Sequence, residues 1–140
     1  PDNIIIVGSS TWSQDIHFPA ADPLDYENIM YSCHFYAGTH FEWLQQRITD
    51  CRTGEFGNVI PVFVTEWGTT DSSGHGQIFT DETKSCTSYL IEKNISWATL
   101  SLSDMPEGSA ALKPGAAYTG GWPMEMLTES GKLVYSLLRE

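Results

Sequence analysis

The feature that most constrains the fold is a series of short apolar runs that alternate with longer helical patterns. The runs are Ile4–Val7, Ile29–Tyr36, Val62–Glu66 and Ile95–Leu102. The first and third are almost continuously apolar and β-branched, which is typical of parallel strands covered on both faces. This alternation predicts an α/β fold of four parallel βα units, in a single domain that spans residues 1–140.

Helical patterns follow three of the runs. Phe41–Arg52 has apolar residues at helical spacing, with Thr39 before it as an N-cap. Asp81–Lys93 begins with an acidic cap residue, and Leu133–Arg139 follows a turn-prone segment. The connection over residues 8–28 contains two prolines and is expected to hold at most one short helix.

Composition and charge restrict the classes of partner. The chain has 18 acidic and 7 basic side chains, a net charge of −11, and no cluster of Lys and Arg. Such a surface suits neither nucleic acid nor an anionic membrane, but it is compatible with a neutral substrate such as a sugar polymer. No apolar run in the sequence reaches the roughly 20 residues that a membrane span needs.

The sequence predicts no metal and no cofactor. There is no CxxC pair, and no two histidines have metal-ligand spacing. Three thiols are expected to be buried as small apolar groups, or to form one disulfide with one thiol left over: Cys33, Cys51 and Cys86. Three histidines are expected to be ordinary surface or loop residues: His17, His40 and His75.

Polar and aromatic residues follow the predicted strands where each strand ends. Trp12 follows the first strand, His34 and Tyr36 end the second, and Glu66 and Trp67 end the third. Ligands collect at the carboxyl ends of parallel strands. Each residue alone is also consistent with a structural role, but together they offer the flat aromatic faces and few polar groups that suit sugar rings. Their convergence predicts a carbohydrate site.

Four collinear segments carry a resemblance to a known family. They read "NIIIVGSSTWSQDI", "NIMYSCHFYAGTH", "IPVFVTEWGTTDSSG" and "ISWATLSLSDMPEGSAALKPGA". In this order they resemble the last four βα units of bacterial cellulases in glycoside hydrolase family 5, with endo-β-1,4-glucanases as the nearest subgroup. The resemblance covers residues 1–122. It implies the C-terminal half of a (β/α)8 TIM barrel, strands five to eight, in a secreted enzyme that hydrolyses cellulose or a related β-1,4-glucan with retention.

The resemblance also implies roles for individual residues. The glutamate of "TEWG" is the nucleophile in this family, and here it is Glu66. The "HFY" motif supplies His34 and Tyr36, which border the nucleophile. Trp12 of "TWSQD" resembles a sugar platform on the leaving-group side, and Trp67 is assigned to substrate binding.

The chain departs from the family pattern at two places. The family's acid/base glutamate lies in an Asn-Glu-Pro motif on the fourth strand, and this chain corresponds to the strands after it. Near the last strand, Leu100 stands where the family usually has a tryptophan, and Met105 where it has a lysine. Both positions are assigned to substrate binding together with Glu107. We therefore expect a chain with the nucleophile but without the acid/base, weakly active or inactive alone.

Four strands cannot close a barrel, because strand number, tilt and stagger are linked. The open edges predict a homo-oligomer, such as a dimer of half-barrels, or association with an N-terminal half. The alternative function is a catalytically inactive, self-associating half-barrel that binds β-glucan or is purely structural.

Overall fold

The structure, a computed structural model, describes residues 3–139 except for the side chain of Phe41. Its sheet is parallel and consists of β1 (Ile5–Val7), β2 (Ile29–Tyr36) and β3 (Val62–Gly68) in that spatial order. β2 lies in the middle and is paired on both sides. The sheet therefore brings the carboxyl ends of β2 and β3 side by side.

Helices connect and cover the strands, which confirms the predicted α/β class. The helices are α1 (Ser10–Ser13), α2 (His17–Ala21), α3 (Phe41–Thr53), α4 (Thr80–Glu92) and α5 (Glu129–Leu137), with a 3-10 turn at Met124–Met126. The connection between β1 and β2 thus holds one short right-handed helix, α2, as expected, while the four-residue α1 has non-helical φ and ψ angles at Thr11 and Trp12. The core joins apolar side chains of β2 and β3 to those of α3, α4 and α5.

The first residues of the helices were predicted less accurately than the bounds of β2 and β3. Thr39 does not cap α3, and its Oγ1 instead accepts a hydrogen bond of 3.0 Å from the backbone N–H of Ser72. α4 begins one residue before Asp81. α5 begins four residues earlier than predicted because Thr128 Oγ1 accepts the N–H of Gly131 at 2.9 Å, which caps the helix at that point.

The predicted fourth strand, Ile95–Leu102, does not form a continuous ladder, so that prediction is wrong in its extent. Trp97 makes an isolated parallel bridge with Val64, and Leu100 N–H donates to Trp67 O at 2.8 Å. The segment follows the free edge of β3 but bonds to it only at intervals.

The other edge of the sheet exposes apolar side chains. Ile4, Ile5 and Ile6 are 64, 45 and 41% exposed. Because β1 is an edge strand, its outer backbone N–H and C=O groups have no partner strand, and these apolar side chains lie exposed beside them. Among the helices over residues 3–139, none has the length and apolar character needed to cross a lipid bilayer.

Candidate active site

A β-bulge shapes the end of the sheet where the site lies. Cys33 pairs with Val64, but the next residue of β2, His34, pairs with Glu66, so Thr65 is the extra residue on β3. A bulge turns the side chains that follow it relative to a regular strand. It places the His34 imidazole opposite the Glu66 carboxylate.

The Glu66 carboxylate is held from two sides. Tyr36 Oη donates a hydrogen bond of 3.1 Å to Oε1, and His34 Nδ1 lies 3.6 Å from Oε2. The Glu66 and His34 side chains are 32 and 24% exposed, so both remain accessible from solvent. The carboxylate is therefore fixed in orientation and still able to meet a ligand.

Hydroxyl groups orient the His34 ring. Nε2 lies 2.9 Å from Thr65 Oγ1 and 3.1 Å from Ser32 Oγ, and these two hydroxyls are themselves in contact. Either hydroxyl can donate or accept as the imidazole requires. With Nε2 engaged on this side, Nδ1 is directed towards Glu66.

Tyr36 is suited to act as a permanent donor. Burial, the charge of Glu66, the hydrogen bond to Glu66 and the charge of Glu107 together raise the pKa of its phenol to about 12. The phenol therefore keeps its proton throughout the neutral range. A hydrogen bond donated to a carboxylate favours the ionised form of that carboxylate.

Close packing against Tyr36 explains why the residue after Glu66 and Trp67 is a glycine, Gly68. A Cβ at this position would lie 2.6 Å from Cε1 and 2.7 Å from Cδ1 of Tyr36. The Tyr36 ring therefore lies directly on the backbone of Gly68, and any side chain there would displace it. The glycine is required by the position of the phenol that holds Glu66.

The carboxylate opens into a pocket of about 410 Å³. Four of its lining residues were predicted from sequence: Trp12, His34, Tyr36 and Glu66. Three were not: Gln14, His40 and Ser72. Within residues 3–139, no three His, Cys, Asp or Glu side chains lie close enough together to hold a metal ion.

Trp12 projects from an unusual turn at the pocket edge. Thr11, Trp12 and Ser13 have φ angles of 52°, 50° and 59°, in the left-handed region that residues other than glycine rarely adopt. The indole is 81% exposed. This conformation lifts the ring into solvent, where it can contact a ligand in the pocket.

His40 lies in the turn between β2 and α3, in agreement with the expected loop position, but it also lines the pocket, which the sequence did not predict. Its Nδ1 accepts the backbone N–H of Tyr36 at 3.1 Å, and its Nε2 lies 3.4 Å from Gln14 Nε2. Burial lowers the pKa of the imidazole. Both effects favour the neutral ring. Its position directly after β2, before the first turn of α3, was the available sequence signal.

Trp67 does not face the pocket, so the prediction that it binds substrate is wrong. It is completely buried, stacks on Phe35 at 5.8 Å between ring centroids, and meets Trp97 edge-on at 5.4 Å. Successive residues of a strand point to opposite faces. With Glu66 directed to the pocket, Trp67 turns into the core.

The remaining predicted substrate contacts lie in the loop after the bridge at Trp97. Leu100 and Glu107 are half-buried and Met105 is 59% exposed. Ser101 Oγ lies 3.5 Å from Glu107 Oε1, a long hydrogen bond. None of the three is among the residues that line the pocket over residues 3–139, and their substrate contacts stay predictions.

The three cysteines are unpaired and buried. Burial raises the pKa of Cys33 to about 12 and of Cys51 to about 11, and it also raises the pKa of Cys86. The thiols therefore stay protonated and contribute to packing, as the sequence predicted for the case without a disulfide.

Comparison with known proteins places this geometry in context. Residues 1–105 match the family model described as cellulase (glycosyl hydrolase family 5). An endoglucanase of Clostridium saccharobutylicum is 51% identical over 134 residues, which is 96% of this chain and 29% of that protein. The chain spans about 30% of the length of the curated relatives that it matches.

Solved structures agree with the sequence relatives. The catalytic domain of Thermobifida fusca endoglucanase Cel5A superposes with a TM-score of 0.89 at 32% identity, over 100% of this chain and 47% of the other. A variant of the same enzyme, in complex with cellotetraose, superposes with a TM-score of 0.88 at 31% identity. The shared fold and the covered fraction agree with the prediction of half a barrel.

Proposed function

Because this chain belongs to glycosyl hydrolase family 5, we propose that it is part of a retaining endo-β-1,4-glucanase that acts on cellulose or a related β-glucan, with Glu66 as the nucleophile. The observation that carries the proposal is the half-buried carboxylate of Glu66, which accepts a hydrogen bond from Tyr36 and faces His34 in an open pocket. A nucleophile needs this fixed, accessible placement.

In the proposed reaction, a carboxylate oxygen of Glu66 attacks the anomeric carbon of a glucosyl unit. The bond from that carbon to the glycosidic oxygen breaks, and the oxygen takes a proton from a carboxylic acid. Water then hydrolyses the glycosyl-enzyme ester, which restores the carboxylate. Tyr36 and His34 orient the nucleophile, and Trp12 stacks on the sugar of the leaving group.

The acid would come from outside this chain. Retaining hydrolysis uses two carboxyl groups about 5–5.5 Å apart. Glu66 is the one carboxylate among the pocket-lining residues that the structure describes over 3–139. General acid catalysis contributes about 10²–10⁴-fold, so the chain alone is proposed to hydrolyse carboxymethylcellulose weakly or not at all.

An activated substrate tests the role of the nucleophile independently of the acid. A dinitrophenyl 2-deoxy-2-fluoro-cellobioside has a leaving group that needs no protonation, and its ester with the enzyme hydrolyses slowly. We expect the chain to become labelled at Glu66, as seen by peptide mass spectrometry. Glu66→Gln should prevent labelling, and Glu55→Gln, at an exposed position that does not line the pocket, should not. Label at another residue, or equal label in Glu66→Gln, would refute the assignment.

We also propose that the open sheet edges are covered by four further βα units, from a second copy of this chain or from an N-terminal half of the barrel. The exposed isoleucines of β1 support this proposal, because a monomer would leave these apolar side chains in water. Size-exclusion chromatography with light scattering tests the homodimer. A monomer whose sharp thermal unfolding does not depend on concentration would contradict the need for any cover.

The second candidate is a β-glucan-binding or structural half-barrel without catalysis, and the lone pocket carboxylate favours it. Cello-oligosaccharide binding without release of reducing sugar, and without labelling of Glu66, would select this function. For either function we propose an extracellular location, since polymeric glucan cannot enter a cell. Recovery of the protein in the cell fraction rather than the culture medium would argue against it.

A further inference from the structure

Resting on the proposed function, we infer that Trp43 extends the glucan-binding surface beyond the pocket and binds an additional glucosyl unit of a longer chain. Trp43 lies in the first turn of α3, directly after the carboxyl end of β2. In a βα unit, this turn lies at the same edge of the sheet as the strand's last side chains. It therefore lies at the rim on which Glu66 and Tyr36 end their strands.

Contact with a pocket residue connects Trp43 to the site. The Trp43 and His40 rings are perpendicular, at 88°, with centroids 6.0 Å apart, and His40 lines the pocket. Trp43 is 43% exposed, a large apolar surface to leave in water beside a binding pocket. The surface from the pocket over His40 to Trp43 is thus aromatic and continuous.

The ring of Trp43 is braced. The Arg47 guanidinium lies over it, 4.9 Å from its centroid. The same guanidinium donates through Nη1 to Gln14 O and to Asp15 Oδ1, both at 3.0 Å. Arg47 therefore fixes Trp43 on α3 and, through Gln14 and Asp15, the turn that carries Trp12.

This shared brace favours a ligand-binding role. A rigid aromatic ring loses little conformational entropy when a ligand stacks on it. Trp12 and Trp43 are the exposed indoles on either side of the contact between Gln14 and His40. A polymer whose sugar rings present apolar C–H faces can contact both, whereas a short oligosaccharide in the pocket would reach Trp12 alone.

The chain contains a matched control for the effect of removing such a ring. Tyr135 on α5 is 44% exposed, and the Arg139 guanidinium lies over it, 5.4 Å from its centroid. Like Trp43 and Arg47, the two residues are four apart in sequence, with Arg139 just beyond the end of α5. Tyr135 is not among the pocket-lining residues. Tyr135→Ala therefore reproduces the loss of a braced, half-exposed aromatic ring away from the site.

The test is calorimetric titration with cello-oligosaccharides from cellobiose to cellohexaose. Trp43→Ala should weaken binding of cellohexaose about tenfold, as expected for loss of one aromatic stacking contact, and leave cellobiose unchanged. Trp43→Phe should be intermediate, and Tyr135→Ala should equal the unaltered chain at every length. Equal affinities of Trp43→Ala and Tyr135→Ala at every length would overturn the inference.

A second readout does not depend on the folding of a variant. With 5-fluorotryptophan incorporated, the ¹⁹F signal of Trp43 should shift with cellohexaose but not with cellobiose, while that of the buried Trp67 should stay in place. An unmoved Trp43 signal with a shifted Trp12 signal would refute the inference and leave the proposed function intact. Absence of binding at every length by the unaltered chain would refute both.

Discussion

Two regions at the carboxyl edge of the sheet, the Trp12 flank and the Leu100 flank, differ in the side-chain contacts that hold their residues, and over residues 3–139 only the Trp12 flank lines the pocket. On the Trp12 flank, Arg47 joins Gln14 and Asp15 to Trp43, and His40 bonds to the backbone of Tyr36. On the Leu100 flank, Met105 projects into solvent and the contact between Ser101 and Glu107 is 3.5 Å long. The Trp12 flank combines exposed indoles with a charged side-chain support. The Leu100 flank has no aromatic side chain over residues 99–108 and is held mainly by backbone hydrogen bonds, such as Leu100 N–H to Trp67 O at 2.8 Å and Ala111 N–H to Ser101 O at 2.9 Å.

Under the proposed function, this difference predicts which region binds the sugar polymer. Stacking requires a flat ring in a fixed orientation, which Trp12 and Trp43 provide. Leu100 offers less flat area than the tryptophan that the family resemblance implies at its position. Substrate affinity should therefore depend mainly on the Trp12 flank.

The largest loss of stability is expected from a substitution at Gly68, whose backbone packs against the ring of Tyr36. Gly68→Ala places a Cβ 2.6 Å from the Tyr36 ring and must displace it. We expect a loss of about 1–3 kcal/mol in the free energy of unfolding, as for overpacking, together with loss of the Tyr36–Glu66 hydrogen bond. Urea denaturation measures the first effect and labelling of Glu66 the second. Gly8→Ala is the control for adding a methyl group at a glycine without a left-handed φ, because its new Cβ meets only Ser13 Oγ, at 3.1 Å.

Next in size is the direct comparison of the two flanks. Arg47→Met removes two hydrogen bonds from a charged donor, and a loss of about 2 kcal/mol of stability is expected. Ser101→Ala on the Leu100 flank should cost less than about 0.5 kcal/mol. Urea denaturation of both variants measures the difference. Equal losses would show that the two flanks are equally well supported.

A third variant adds an aromatic side chain to the Leu100 flank, which has none over residues 99–108. Leu100→Trp restores an aromatic ring on the weaker side, and we expect affinity for cello-oligosaccharides to rise by up to about tenfold. Leu102→Trp, at a more exposed position in the same segment, is the control for added apolar area. An unchanged affinity in Leu100→Trp would show that this flank does not contact the sugar.

The smallest effect is a pH dependence of the Trp12 flank. Because burial lowers the pKa of His40, its contribution to stability is present above the ordinary value of about 6.5 and is lost as the pH falls through the lowered pKa. Protonation would also remove the Nδ1 acceptor for Tyr36 N–H. His40→Gln should reduce the loss of stability between pH 7 and acidic pH, whereas His75→Gln, in an exposed loop, should not. Identical acid profiles would contradict the role of His40.

The sequence predicts the parts of the site that follow from strand order. β2 has the predicted bounds, and His34, Tyr36 and Glu66 meet because parallel strands end at one edge. Residue types alone did not reveal the bulge at Thr65. Side chains alternate between the two faces of a strand, so the sequence predicts which residues of one strand share a face. The register between two strands depends on packing over the whole sheet and is not predicted in this way.

The residues that the sequence did not identify depend on contacts between distant segments. His40 and Gln14 are 26 residues apart and meet only because α3 packs beside the connection after β1. The burial of Trp67 depends on Phe35 and Trp97, from two other segments. Local composition contains no signal for such contacts, which is why Trp67 was assigned to substrate binding and the place of His40 in the pocket was missed.

The left-handed turn at Thr11–Ser13 also has a consequence for protein engineering. Left-handed geometry costs roughly 1–2 kcal/mol for each residue with a side chain, so selection for heat resistance alone would favour glycine or asparagine there. Such a variant would gain melting temperature and lose the rigid presentation of Trp12. Under the proposed function, directed evolution of this protein should therefore score glucan affinity in every round, because thermostability and affinity place opposite demands on these three positions.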